Sequence, residues 1–121
     1  MPDDPLLLQQ LALCAKYGAT PYPCSPGEKL DIALNVKAGE LPVHGVRLEP
    51  ENGTCGWFIW SGGEMSEAED FFAPLHVAHV DKWSPLIARF LQLPPGWRFL
   101  VAPDYEDVWF DENPEESGSV Q

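Results

Sequence analysis

Three histidines and three cysteines are the side chains here best suited to holding a soft metal or attacking a substrate: His44, His76, His79, Cys14, Cys24 and Cys55. His76 and His79 form an H-x-x-H pair. A zinc site needs about four ligands converging tetrahedrally, and this pair lacks the spacing and intervening helical Glu of H-E-x-x-H. With Leu75, Val77 and Val80 around it, the expectation is ordinary packing with hydrogen-bonded imidazoles and no metal. Cys55 precedes Gly56-Trp57, where a nucleophile beside a turn would sit. Activating a thiol takes a neighbouring base and a depressed pKa. His44 and His76 are the candidate bases, and spacing identifies no carboxylate to orient them. Cys55 is therefore expected to be a structural thiol.

The acids tell more. All seven Lys and Arg lie between Lys16 and Arg98, whereas Asp104 to Glu116 carries seven acids and no base. The segment reads D-Y-E-D-V-W-F-D-E from Asp104 to Glu112. A calcium loop alternates ligands around a central glycine, and 104–111 has none; no glycosidase-type pair is singled out either. A one-signed field steers an oppositely charged partner, and large aromatics supply contact area at low entropic cost. The candidate partner-binding residues are Asp104, Tyr105, Glu106, Asp107, Trp109 and Asp111, joined by Trp57, Trp60 and Glu64 from the aromatic stretch upstream. A merely solvated acidic hairpin is the competing expectation.

A chain of 121 residues makes one domain with one core, expected over 1–112 with a flexible acidic tail at 113–121. Hydrophobic content of 45% with 12% aromatics excludes wholesale disorder. A net charge of −12 argues against nucleic acid, whose binding runs on phosphate neutralisation, and against an anionic membrane surface. Three cysteines without a C-x-x-C spacing suggest no disulfide framework and a reducing compartment. The start, M-P-D-D-P, lacks the basic region of a secretory signal, and no apolar run has membrane-spanning length. A cytoplasmic protein without cofactors is expected.

The elements that must position these residues follow from local patterns. Asp4-Pro5 is a helix start, and Leu7, Leu8, Leu11, Cys14 and Ala15 recur at helical spacing up to Gly18, predicting a helix over Pro5–Tyr17 with Leu11 inward. Pro21, Pro23 and Pro26 make 19–27 an extended connector. Leu30–Lys37 alternates as a half-buried strand, Val43–Glu49 reads as a second, and Trp57–Trp60 as a short aromatic strand in which 57 and 60 face opposite sides. Ser66-x-x-Glu69 matches a capping box opening a short helix through Phe72. Ser84-Pro85 starts a second helix, with Leu86, Ile87, Phe90 and Leu91 inward, ended by Pro94-Pro95-Gly96. Trp97–Val101 and Val108–Phe110 are the last strands. The predicted fold is α+β: a small, mainly antiparallel sheet with two principal helices packed on one face.

Arg47-x-Glu49-Pro50, then Gly56-Trp57 with its aromatics, then Gly63-Glu64 resembles the immunity protein 33-like group, small immunity domains of bacterial polymorphic-toxin systems. Phe71-Phe72-Ala73-Pro74-Leu75-His76-Val77 and Gly96-Trp97-Arg98-Phe99-Leu100 through Glu106-Asp107-Val108-Trp109 are similar to it as well. The likeness runs from Arg47 to Phe110, with one departure: relatives carry Asp-Ser where this chain has Thr54-Cys55. The resemblance implies neutralisation of a toxin, and inhibition by occlusion is the expected mode. An acidic, Trp-rich surface would suit the basic cleft of a nuclease. A small cysteine- or metal-dependent hydrolase and a regulatory homo-oligomer are the alternatives.

Overall fold

The computed structural model describes residues 5–24, 27–50, 54–62, 72–84 and 86–111. The chain runs α1 (Pro5–Tyr17), β1 (Lys29–Ala33), a single helical turn α2 (Leu34–Lys37), β2 (Val43–Arg47), β3 (Thr54–Ser61) and β4 (Phe72–His76). A 3-10 turn (Val77–His79), a helical turn α3 (Val80–Trp83) and a second 3-10 turn (Ala88–Phe90) lead to β5 (Trp97–Ala102) and β6 (Tyr105–Phe110). The strands form one six-stranded sheet in the order β4-β1-β3-β2-β5-β6. β1 runs parallel to β3, and every other pairing is antiparallel.

The predicted architecture needs correction: the sheet is mixed, and α1 is the one main helix. Ser84–Leu93 does not form the second helix. Ile87, Ala88, Phe90, Leu91, Gln92 and Leu93 are all buried, directions that together circle a helix, whereas a surface helix buries a single stripe. The segment instead takes tight turns that drive these side chains into the core. The Leu91, Gln92 and Leu93 carbonyls are left to accept from other parts of the chain.

β1 also stops earlier than its alternation suggests. At Leu34 the chain turns helical; Val36 still reaches the core while Leu34 is exposed. The turn places Asn35 to donate from Nδ2 to Ser61 O (2.8 Å) and accept from Ser61 N at Oδ1 (3.0 Å), so a side chain caps the end of β3. β4 answers to no predicted strand; its Pro74 is tolerable because β4 is an edge. The expected capping box at Ser66 and the tail at 113–121 lie outside the described residues.

The main core fills the face of the sheet covered by α1 and the 87–93 turns. Leu30, Ile32, Trp57, Ile59, Phe99, Val101 and Val108 from the strands meet Leu13, Cys14, Phe90 and Leu93 there. Within α1 the inward residues are Leu13 and Cys14, and Leu11 is 38% exposed, which corrects its expected core position. A smaller cluster of Ala33, Val46 and Trp60, with Phe58 and Phe72 against it, lies on the opposite face. Among the described residues no helix is long and apolar enough to cross a membrane.

Candidate functional site

The two-residue side-chain period of a strand divides the acidic segment between the faces of the sheet. Val108 enters the main core, and Glu106 shares its face. Tyr105, Asp107 and Trp109 point to the other side. Cross-strand register aligns that far side in rows: Trp60, His44, Leu100 and Asp107 in one, and Phe58, Val46, Arg98 and Trp109 in the next. Four predicted residues, Trp60, Tyr105, Asp107 and Trp109, are thus brought onto one face, and Asp104 stands exposed in the hairpin turn beside them. Tyr105 is 51% and Trp109 39% exposed.

Not all of the predicted residues present surface. Trp60 is nearly buried, its ring stacked on His44 (centroids 5.1 Å apart) with Phe72 edge-on to it. Trp57 does face the opposite side from Trp60, as expected, and is wholly buried against Phe99, so it presents no surface. Glu64 lies outside the described residues. Asp111 Oδ2 pairs with Arg98 Nη1 at 3.2 Å.

Glu106 is a structural knot. Its Oε2 accepts from Tyr17 OH (2.6 Å) and Lys16 Nζ (3.3 Å) on α1, and its Oε1 accepts from Arg89 Nη1 (2.7 Å) in the 3-10 turn. Burial alone would raise the carboxyl's pKa; the Tyr17 and Lys16 hydrogen bonds and the Arg89 charge outweigh it and hold the group below the usual carboxylate value. One acid of the cluster therefore joins three elements internally, which its charge in the sequence does not disclose.

On the core side, a feature the spacing did not reveal surrounds Arg47. This residue is 1% exposed. Its Nε donates to Cys55 O (2.8 Å), and its Nη1 donates to Tyr22 O (2.7 Å), Leu91 O (3.1 Å) and Leu93 O (2.9 Å). The guanidinium also lies over the Tyr22 and Trp57 rings. Leu91 O accepts from Trp57 Nε1 (3.0 Å) and Cys24 Sγ (3.3 Å) too. Cys24 and Cys55 thereby meet, sharing a thiol hydrogen bond that lowers the Cys55 pKa and raises that of Cys24. Without a C-x-x-C pattern, only the fold could pair them.

Gly56 is tied to the same place. It has φ +93°, and a Cβ there would collide with the Leu48 carbonyl oxygen, while its own carbonyl accepts from Leu48 N (2.8 Å). The Gly-Trp pair thus works as a backbone device: glycine permits the close turn of β3 that sends Trp57 inward.

His76 and His79 are exposed neighbours, ring centroids 6.1 Å apart. His44 is on the far face of the sheet, its Nε2 2.7 Å from Gly62 O. Among the described residues no three His, Cys, Asp or Glu side chains gather as a metal site would require.

No curated protein and no solved structure gives a significant match to the chain. The profile of the Imm33-like domain matches residues 9–111, which includes most of α1 as well as the Arg47–Phe110 stretch that carries the resemblance. The chain belongs to the Imm33-like domain family.

Proposed function

We propose that the protein is a non-catalytic, cytoplasmic immunity protein that neutralises a cognate bacterial toxin by covering a basic surface on it. Membership of the Imm33-like family supports the immunity role. The observation that carries the binding surface is the outer side of the β5–β6 hairpin, where Asp104 in the turn and Tyr105, Asp107 and Trp109 on the edge strand stand exposed. Two exposed carboxylates beside two half-exposed aromatics combine a steering field with contact anchors. Leu100 lies in the same strip as Asp107, and the Arg98–Asp111 pair borders it. Trp57 and Glu106 are not part of this surface, since both are committed to the interior. A toxin that binds phosphates, such as a nuclease, would offer the complementary basic cleft.

The test is kinetic binding to the product of the neighbouring gene across ionic strengths. Charge on such a patch mainly sets association, while an aromatic anchor sets dissociation. Asp104→Asn with Asp107→Asn should slow association by on the order of tenfold at low salt and flatten its salt dependence. Trp109→Ala should weaken affinity by roughly tenfold or more, through faster dissociation. If the double neutralisation leaves the association rate and its salt slope intact, the hairpin is only a solvated surface.

A further inference from the structure

Cys24 and Cys55 lie 31 positions apart in the sequence yet meet at one place in the fold. The extended connector brings Cys24 to the Leu91 carbonyl, where Tyr22 N is also anchored on Gln92 O at 2.8 Å. β3 brings Cys55, and the buried Arg47 guanidinium holds both segments, donating to Tyr22 O and Cys55 O. Their sulfurs share a hydrogen bond, Cys24 is half-buried and Cys55 is fully buried. The third cysteine, Cys14, sits apart in the α1 packing, its thiol pushed up by burial alone.

We propose that Cys24 and Cys55 are a redox modification site: a dithiol that a peroxide converts to an intramolecular disulfide, stapling the connector to β3. Forming an S–S bond of about 2 Å requires the two neighbouring sulfurs to close on each other. Cys24, on its partly exposed extended segment, is placed to make that movement. The peroxide reaches Cys24 first. Cys55 reacts as the thiolate, its proton released to solvent; as the Cys24 sulfur attacks the O–O bond, the Cys24 proton passes to that neighbouring thiolate, giving a Cys24 sulfenic acid and a hydroxide. The hydroxide takes that proton back from Cys55 and leaves as water. The Cys55 thiolate, favoured by the Cys24 hydrogen bond, the Trp57 backbone N–H and the Arg47 charge, then attacks the Cys24 sulfur. The second oxygen departs as hydroxide and is protonated from solvent. In sum, two thiols give two electrons to one peroxide, forming one disulfide and two waters.

The experiment treats the reduced, desalted full-length protein with one equivalent of hydrogen peroxide, followed by intact mass, thiol titration and peptide mapping. The expected result is a loss of about 2 Da per chain, a Cys24–Cys55 cross-link, Cys14 left as the free thiol, and full reversal by a dithiol reductant. Cys14→Ser should behave like the parent. Cys24→Ser, at a half-buried position where circular dichroism can check folding, should lose the mass change. The 24–55 pairing should lose its preference when oxidation is run in denaturant. Chain-to-chain dimers, oxygen added to a cysteine without a cross-link, three thiols persisting, or a cross-link through Cys14 would each overturn the proposal.

Discussion

Arg47 stands where a strand interior would ordinarily hold an aliphatic residue. Burying a guanidinium is costly unless its donors are satisfied, and here four backbone carbonyls from three separate segments accept from it. Lysine would keep the charge but lose the planar fork that reaches several acceptors at once. Arg47→Lys should therefore destabilise the protein by on the order of 2–4 kcal/mol, read as a lower urea midpoint. A shift near zero would mean that the carbonyls need no fixed donor. The sequence marks Arg47, Gly56 and Trp57 as a motif, but its purpose becomes legible only when the connector and the 91–93 turn close around it.

At the scale of the element, β6 has two jobs separated by its pleat. Glu106 clamps α1 and the 88–90 turn to the sheet, while Asp107, one residue on, faces away. The Glu106 carboxyl is held below its usual pKa, so its contribution is complete above the unfolded value, about 4.3, and is lost as pH falls through the lower folded value. Asp31, pushed up by burial, works oppositely, since its protonation in acid relieves a cost. The raised Tyr17 and Lys16 values give contributions present below about pH 10 and lost as pH rises through the folded values. Glu106→Gln should lower neutral-pH stability by about 1–2 kcal/mol, discounted for the exposed Lys16 end. It should also reduce the loss of stability in acid, measured as urea midpoints below and above pH about 4. Asp107→Asn should change neither. An equal effect from both substitutions would contradict the division of the strand.

For the whole molecule, the core centres on stacked Phe90 and Phe99, centroids 4.4 Å apart, with Trp57 tilted against Phe99. Phe90→Ala should cost about 3–5 kcal/mol through the cavity it leaves. Leu11→Ala should stay within about 0.5 kcal/mol, because that side chain is partly in solvent. Equal midpoint shifts would show α1 rotated from its described orientation. Periodicity could not choose that orientation, for α1 carries Leu6, Leu7, Leu8, Leu11, Leu13 and Cys14 around much of its circumference. The choice is made by what meets the helix. Gln10 bonds Ala88 O and Gln92, and Tyr17 bonds Glu106.

Local sequence was sufficient for whatever depends on neighbours in the chain. It identified α1 from its cap, spacing and stop, and the strands around Val43, Trp57, Trp97 and Val108 as short apolar and aromatic runs between turn signals. It also placed Trp57 and Trp60 on opposite sides and showed the family likeness in the Arg47 to Phe110 motifs. Tertiary structure decided the parallel pairing of β1 with β3, the breakdown of Ser84–Leu93 into turns, the inward commitment of Trp57 and Glu106, and the meeting of Cys24 with Cys55. Each of these depends on partners distant in the chain: a residue's type and spacing limit which faces it can occupy, but the groups waiting on each face determine which one it takes.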